Sequence, residues 1–228
     1  MTQRDPTKVL WWLVSRASGI VALVLISASV LIGLALATKV LRGPKLKRAL
    51  VRLHEHLALV ALVAIALHGL ALLGDHWLKP GLRGVAVPFA MGYRPQFTGL
   101  GIVAGYLALL LGPSFYLRRR IGVRRWRRLH RGTVLVWVLA VIHALGAGSD
   151  GTTVWLRAVV LVPGLPIVYL LALRVFQRPQ RARTSLRPVD ALAAGIHHGG
   201  RPQAGATVRT ARRPLSARHD EEPRPEAA

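Results

Sequence analysis

No cysteine occurs anywhere in the 228 residues. That absence removes disulfide frameworks, thiolate metal sites and the paired cysteines that attach a c-type haem. Any redox chemistry must therefore use other ligands. Acidic residues are scarce, with nine Asp and Glu against 32 Lys and Arg, for a formal net charge of +23. Phosphate-cradling glycine motifs are missing from the loops and the C-terminal stretch. What the chain has in quantity is apolar surface: 52% hydrophobic residues, a positive mean hydropathy and long uncharged runs. These features place it among polytopic membrane proteins rather than soluble domains.

A charge of +23 raises the question of a polyanionic partner, and the placement of the charges answers it. Lys39, Arg42, Lys45, Lys47, Arg48 and Arg52 fill one short loop, and Arg118, Arg119, Arg120, Arg124, Arg125, Arg127 and Arg128 fill another. Ten further arginines lie in residues 177–228. This is the positive-inside distribution, with attraction to anionic lipid headgroups, and it argues against nucleic acid as a partner.

Five segments reach the roughly 20 apolar residues that a bilayer core requires: Val9 to Thr38, Leu53 to Gly74, Thr98 to Leu117, Trp126 to Gly146 and Val154 to Phe176. None shows the alternation of a membrane barrel, so the expected fold is an all-α bundle of about five transmembrane helices over residues 1–176. The loop from Ala147 to Thr153 has no Lys or Arg and carries Asp150, which puts the C-terminus in the cytoplasm and the N-terminus outside. The loop from Asp75 to Phe97 lies outside in this scheme, with Trp77 and Tyr93 suited to the interface. The expected location is the inner or plasma membrane. The first segment exceeds a signal-peptide apolar core and runs on into a basic loop, so it is expected to remain in the mature protein. Residues 177–228, rich in Arg, Pro, Ala and Gly, read as a basic disordered cytoplasmic tail, too short and too poor in large apolar residues for a flavin or nicotinamide domain.

Two of the segments carry histidines at matched depths. His54 and His68 are 14 residues apart, about 21 Å along a helix axis and about 40° apart around it. His130 and His143 are 13 apart, about 20 Å along the axis. The second and fourth segments run in the same direction, so His54 can meet His130 near the cytoplasmic side and His68 can meet His143 toward the outer side. Two stacked bis-histidine sites are what two b-type haems need. The alternative is four polar residues that hydrogen-bond across a helix bundle. One feature resists the haem geometry. Thirteen ideal steps leave His130 and His143 about 140° apart in azimuth, so the fourth helix needs a local re-winding such as a π-bulge or tight turn, or else the two haems sit at different angles to it.

The sequence WRRLHR, the twelve residues between His130 and His143, the H-x13-H segment two spans earlier and SRASG in the first segment together resemble the ferric reductase-like transmembrane domain family. That family includes the haem-bearing membrane domain of NADPH oxidases, ferric reductases and the haem subunit of a periplasmic methionine sulfoxide reductase. The likeness covers about residues 9–176. It implies that His54 and His130 ligate the iron of an inner haem b, that His68 and His143 ligate that of an outer one, and that electrons cross outward. It also implies a role for Arg16, near the outer end of the first span, where its guanidinium can pair with a haem propionate; the alternative is that it snorkels to the outer headgroups. Many members have six helices, which suggests that a helix before Val9 is missing here. Larger members append a flavin and nicotinamide module that this chain lacks, so a separate flavoprotein or a quinol is expected as electron donor, and ferric iron, oxygen or an outer protein as acceptor. A haem anchor subunit exchanging electrons with quinone, and a haem-free transporter or structural protein, are the competing functions.

His56 lies on another face from His68 and reads as an interface residue, with a lesser claim to replace His54 as ligand. His54, Glu55 and His56 lack the i, i+4 histidine spacing of a zinc protease helix. His76 reads as a solvated boundary residue, and His197 and His198 as incidental. Gly69, Gly132 and Gly146 suit either close approach of a macrocycle or ordinary helix packing.

Overall fold

A computed structural model describes residues 6–38 and 40–196, with side chains described over 9–38 and 40–176. The chain divides into a unit of Met1–Arg181 and a second of Ala182–Ala228; the expectation for the tail from residue 197 lies outside the described residues. The described elements are helical throughout: α1 Pro6–Thr38, α2 Pro44–Leu73, α3 Gly81–Ala86, α4 Pro95–Leu111, a 3-10 turn Pro113–Phe115, α5 Arg118–Ile121, α6 Val123–His130, α7 Thr133–Ala147 and α8 Val154–Ile196. Five stretches are long and apolar enough to cross a membrane: Val9–Thr38, Pro44–Leu73, Pro95–Phe115, Val123–Ala147 and Val154–Phe176. The all-α membrane bundle expected from hydropathy is therefore the fold. Three spans extend beyond the expected limits by basic or turn residues that hydropathy discounts. α8 likewise continues past Phe176, to Ile196.

Local chemistry sets the starts of the helices. Pro44 and Pro95 open α2 and α4, where a missing N–H costs nothing. Each follows a residue at positive φ, Gly43 at 95° and Arg94 at 42°, that turns the chain. At the end of α2, Asp75 Oδ1 accepts the backbone N–H groups of Trp77 and Leu78 at 2.8 and 3.0 Å, fixing the turn into the α2–α4 loop.

Lipid is as apolar as leucine, so packing relies on small residues that let backbones approach. The α1 side chains Ser15, Ser18, Ser27 and Ser29 are buried, as are Ala61, Ala64 and Ala71 of α2, and these two helices pack along one another. The hydroxyls of Ser18, Ser27 and Thr38 return to carbonyls four residues earlier, at 2.6, 2.7 and 3.0 Å. α4 packs on α7, and α7 on α1. Val30, Leu34, Trp137, Ile167 and Leu170 form a core shared by α1, α7 and α8. The buried indole of Trp137 donates to Ser27 Oγ at 3.0 Å. Outward-facing Val63, Leu110 and Val162 are well exposed, as lipid-facing residues must be.

Candidate functional site

The two histidine pairs anticipated from spacing are brought together, their rings edge to face. The rings of His54 and His130 have centres 6.0 Å apart and planes at 87°, and those of His68 and His143 are 6.1 Å apart at 73°. All four side chains are partly buried.

The fourth span achieves this by breaking. Between α6 and α7 the amides of Arg131, Gly132, Val134 and Leu135 bond to carbonyls three residues back. Each residue wound at about 120° instead of 100° adds about 20°, so four of them close the 140° mismatch to about 60°. The tight turn is thus the local re-winding that the 13-residue spacing required. Thr133 Oγ1 donates to the His130 carbonyl at 2.8 Å and helps satisfy the broken ladder.

Three of the four rings are fixed from behind. Nδ1 of His54 lies 2.8 Å from the carbonyl oxygen of Ser29, Nδ1 of His68 lies 2.8 Å from that of Ser15, and Nδ1 of His143 lies 2.9 Å from that of Phe97. A carbonyl only accepts, so each Nδ1 carries the proton and each Nε2 keeps its lone pair. Metal-binding histidines are typically held in this way, the bond to the far nitrogen setting the tautomer and raising ligand basicity. The hydroxyls of Ser15 and Ser29 approach the same nitrogens at 3.2 and 3.0 Å. His130 differs: its Nδ1 is buried with no partner among the described residues, and its ring stacks on Trp126 at 5.0 Å.

The rings also rest on glycines. A Cβ at Gly33 would come 3.2 Å from the ring of His54, one at Gly19 would come 2.9 Å from His68, and one at Gly101 would come within 2.6 Å of the His143 ring carbon Cγ. Ser15 and Gly19 serve His68, and Ser29 and Gly33 serve His54. The S-x3-G pattern recurs after 14 residues in α1, antiparallel to the 14-residue histidine spacing of α2. Its first copy lies within SRASG. The second, SVLIG, was legible as a repeat at the histidine period.

A cavity of about 590 Å³ surrounds the His68–His143 pair, its largely apolar wall including Ser15, Gly19, Gly101 and Ala140. That size is within the range of cofactor pockets. Arg16 lines it too and has a protein partner that spacing did not suggest: Nε and Nη2 donate to Asp150 Oδ2 and Oδ1 at 2.6 and 2.7 Å, and the guanidinium lies 5.1 Å from the Trp12 ring centre. From sequence Asp150 is only a loop charge, and nothing in spacing ties it to a residue 134 positions earlier.

The remaining candidates lie elsewhere. His56 is exposed and its Nδ1 bonds the Arg52 carbonyl at 2.7 Å, so it is His54 that faces His130. His76 is exposed at the far end of α2. Tyr116 donates to Glu55 Oε1 at 2.8 Å, and that bond, with lesser contributions from desolvation and the carboxylate charge, raises the phenol pKa. Among the described residues no three His, Cys, Asp or Glu side chains gather as they would around a metal ion held by protein ligands alone.

The geometry suits a metal shared by two imidazoles. Nitrogens about 2 Å from a common metal, with each ring centre about 1 Å behind, put the centres about 6 Å apart. Both pairs have that separation. At the outer pair the unshared Nε2 lone pairs of His68 and His143, with the apolar cavity around them, make a donor set that fits a b-type haem, and at the inner pair His54 presents its Nε2 in the same way.

A family model described as ferric reductase like transmembrane component matches residues 18–141. The match takes in His54, His68 and His130; Arg16 lies two residues before it and His143 two after it. No solved structure matches the chain.

Proposed function

This chain belongs to the ferric reductase like transmembrane component family, and from that premise we propose that it is a membrane b-type cytochrome carrying electrons across the bilayer through two stacked bis-histidine haems. A multi-pass membrane protein of this family is an electron-transfer component, and related members bind haem in the membrane domain. In the proposal His54 and His130 hold an inner haem and His68 and His143 an outer one. The arginine-rich loops and the tail face the cytoplasm, and the Asp150 loop faces out. The donor is a cytoplasmic flavoprotein or a membrane quinol, and the acceptor is ferric iron or a reductase on the outer side.

The observation that carries the reading is the matched separation of 6.0 and 6.1 Å in two histidine pairs. When bound, haem iron supplies a one-electron couple that protein side chains lack. The chain's own part is to present Nε2 by pinning Nδ1 to carbonyls, to let rings approach across Gly19, Gly33 and Gly101, and to keep water out with apolar walls. A dry surround lowers the reorganisation that each electron movement costs. Asp150 takes two of the five N–H donors of Arg16, which leaves the guanidinium able to meet a haem carboxylate at the cavity edge.

The test is a reduced-minus-oxidised and pyridine haemochrome spectrum of the purified chain, quantified per polypeptide, beside His68→Ala and His130→Ala. Two b-type haems per chain, with one lost in each variant, support the relay. A folded preparation supplied with haem that binds none rejects it and leaves the histidines as packing residues.

A further inference from the structure

Near the His54–His130 pair, the indole nitrogen of Trp126 is buried and finds no acceptor among the described residues. Its ring stacks on His130, with centres 5.0 Å and planes 25° apart, and its other aromatic neighbour, Phe115, lies 5.8 Å away and offers no acceptor. The chain does satisfy its other buried indole, since Trp137 reaches Ser27 Oγ at 3.0 Å. A buried N–H left unpaired forfeits its hydration without return, and folded proteins seldom tolerate it. An indole is a donor only, so what it lacks is an acceptor.

Resting on the haem reading above, we propose that Trp126 Nε1–H donates a hydrogen bond to a propionate carboxylate of the haem held by His54 and His130. The group's four ring nitrogens are committed to iron, so its two carboxylates are the acceptors it brings to the site. Two axial imidazoles leave a macrocycle free to turn about the axis that joins them. A donor at the rim stops that rotation, and Trp126 is placed for it by stacking on one of the two axial rings. Arg124, Arg125, Arg127 and Arg128 of the same helix are all exposed, whereas Trp126 Nε1 is buried beside the pair. Trp126 is therefore a positioning residue. By drawing negative charge away from the iron it also raises the midpoint potential of the inner haem relative to an unbonded carboxylate.

The experiment compares the full chain with Trp126→Phe, which keeps a ring for stacking and removes the N–H. Haem content, the propionate bending bands in resonance Raman and the two midpoints from potentiometric titration are read together. The expected result is two haems per chain in both proteins, a shifted propionate band, a lowered inner midpoint and an unmoved outer one. Two haems with unchanged bands and midpoints overturn this inference and leave the cytochrome reading standing. An unsubstituted chain without haem overturns both. Should Trp126→Phe fail to hold the inner haem, the indole N–H signature in ultraviolet resonance Raman of the unsubstituted chain is compared with that of His54→Ala, which leaves the Trp126–His130 stack in place. A hydrogen-bonded indole lost together with the inner haem supports the bond, and an unchanged signature overturns it.

Discussion

Arg16 of α1 grips Asp150, in the loop between α7 and α8, through two parallel hydrogen bonds of 2.6 and 2.7 Å. This fork ties the first helix to the far end of the bundle beside the His68–His143 cavity. Arg16, expected from sequence at a haem propionate or at the outer headgroups, and Asp150, a loop charge, form one unit. The pair is half-sheltered, with the Arg16 and Asp150 side chains 34% and 13% exposed.

Replacing Asp150 with Asn removes the counter-charge while keeping the shape. Partial exposure limits the loss, and the expected destabilisation is about 1–2 kcal/mol, between the values for surface and buried pairs. Thermal unfolding in detergent checks it. In a double-mutant cycle Arg16→Gln with Asp150→Asn should cost much less than the sum of the two single changes. Additive losses would mean the two side chains are not coupled in solution.

Gly101→Ala should strike the outer pair selectively. The new methyl would overlap the His143 ring, and both backbone and ring are packed, so the strain is about 1–3 kcal/mol, released by rotating His143 off its Phe97 carbonyl. The expected outcome is about half the haem of the unsubstituted chain, with the inner haem retained. Gly33→Ala, where the contact with His54 is 3.2 Å, should keep most of its haem. Equal haem content in the two variants would count against these packing contacts.

His56→Ala should leave haem content unchanged, because that ring is exposed and bonded to its own helix. His54→Ala should lose one haem. The reverse pattern, measured by haemochrome assay, would move the inner ligand by two residues and undo the pairing with His130.

Much of this arrangement was legible beforehand. The five spans follow from hydropathy because bilayer thickness imposes a length. The depth of each histidine follows from helical rise, which the repeating backbone hydrogen-bond pattern sets. The azimuth of His143 relative to His130 did not follow, since it depends on whether four amides between α6 and α7 bond three or four residues back. Nor did the partner of Arg16, because a bidentate contact across 134 residues has no periodicity to betray it.

By itself the sequence determined that this chain crosses a membrane in five helices and carries two histidines at each of two levels. Those properties are sums over local residues, apolar length and rise per residue, and they hold whatever the neighbours do. Only the tertiary structure decided which carbonyls fix three of the rings, which glycines admit them, and that Arg16 pairs with Asp150. Those are contacts between helices, set by how closely small residues let two backbones approach, and no single segment contains both halves of any of them.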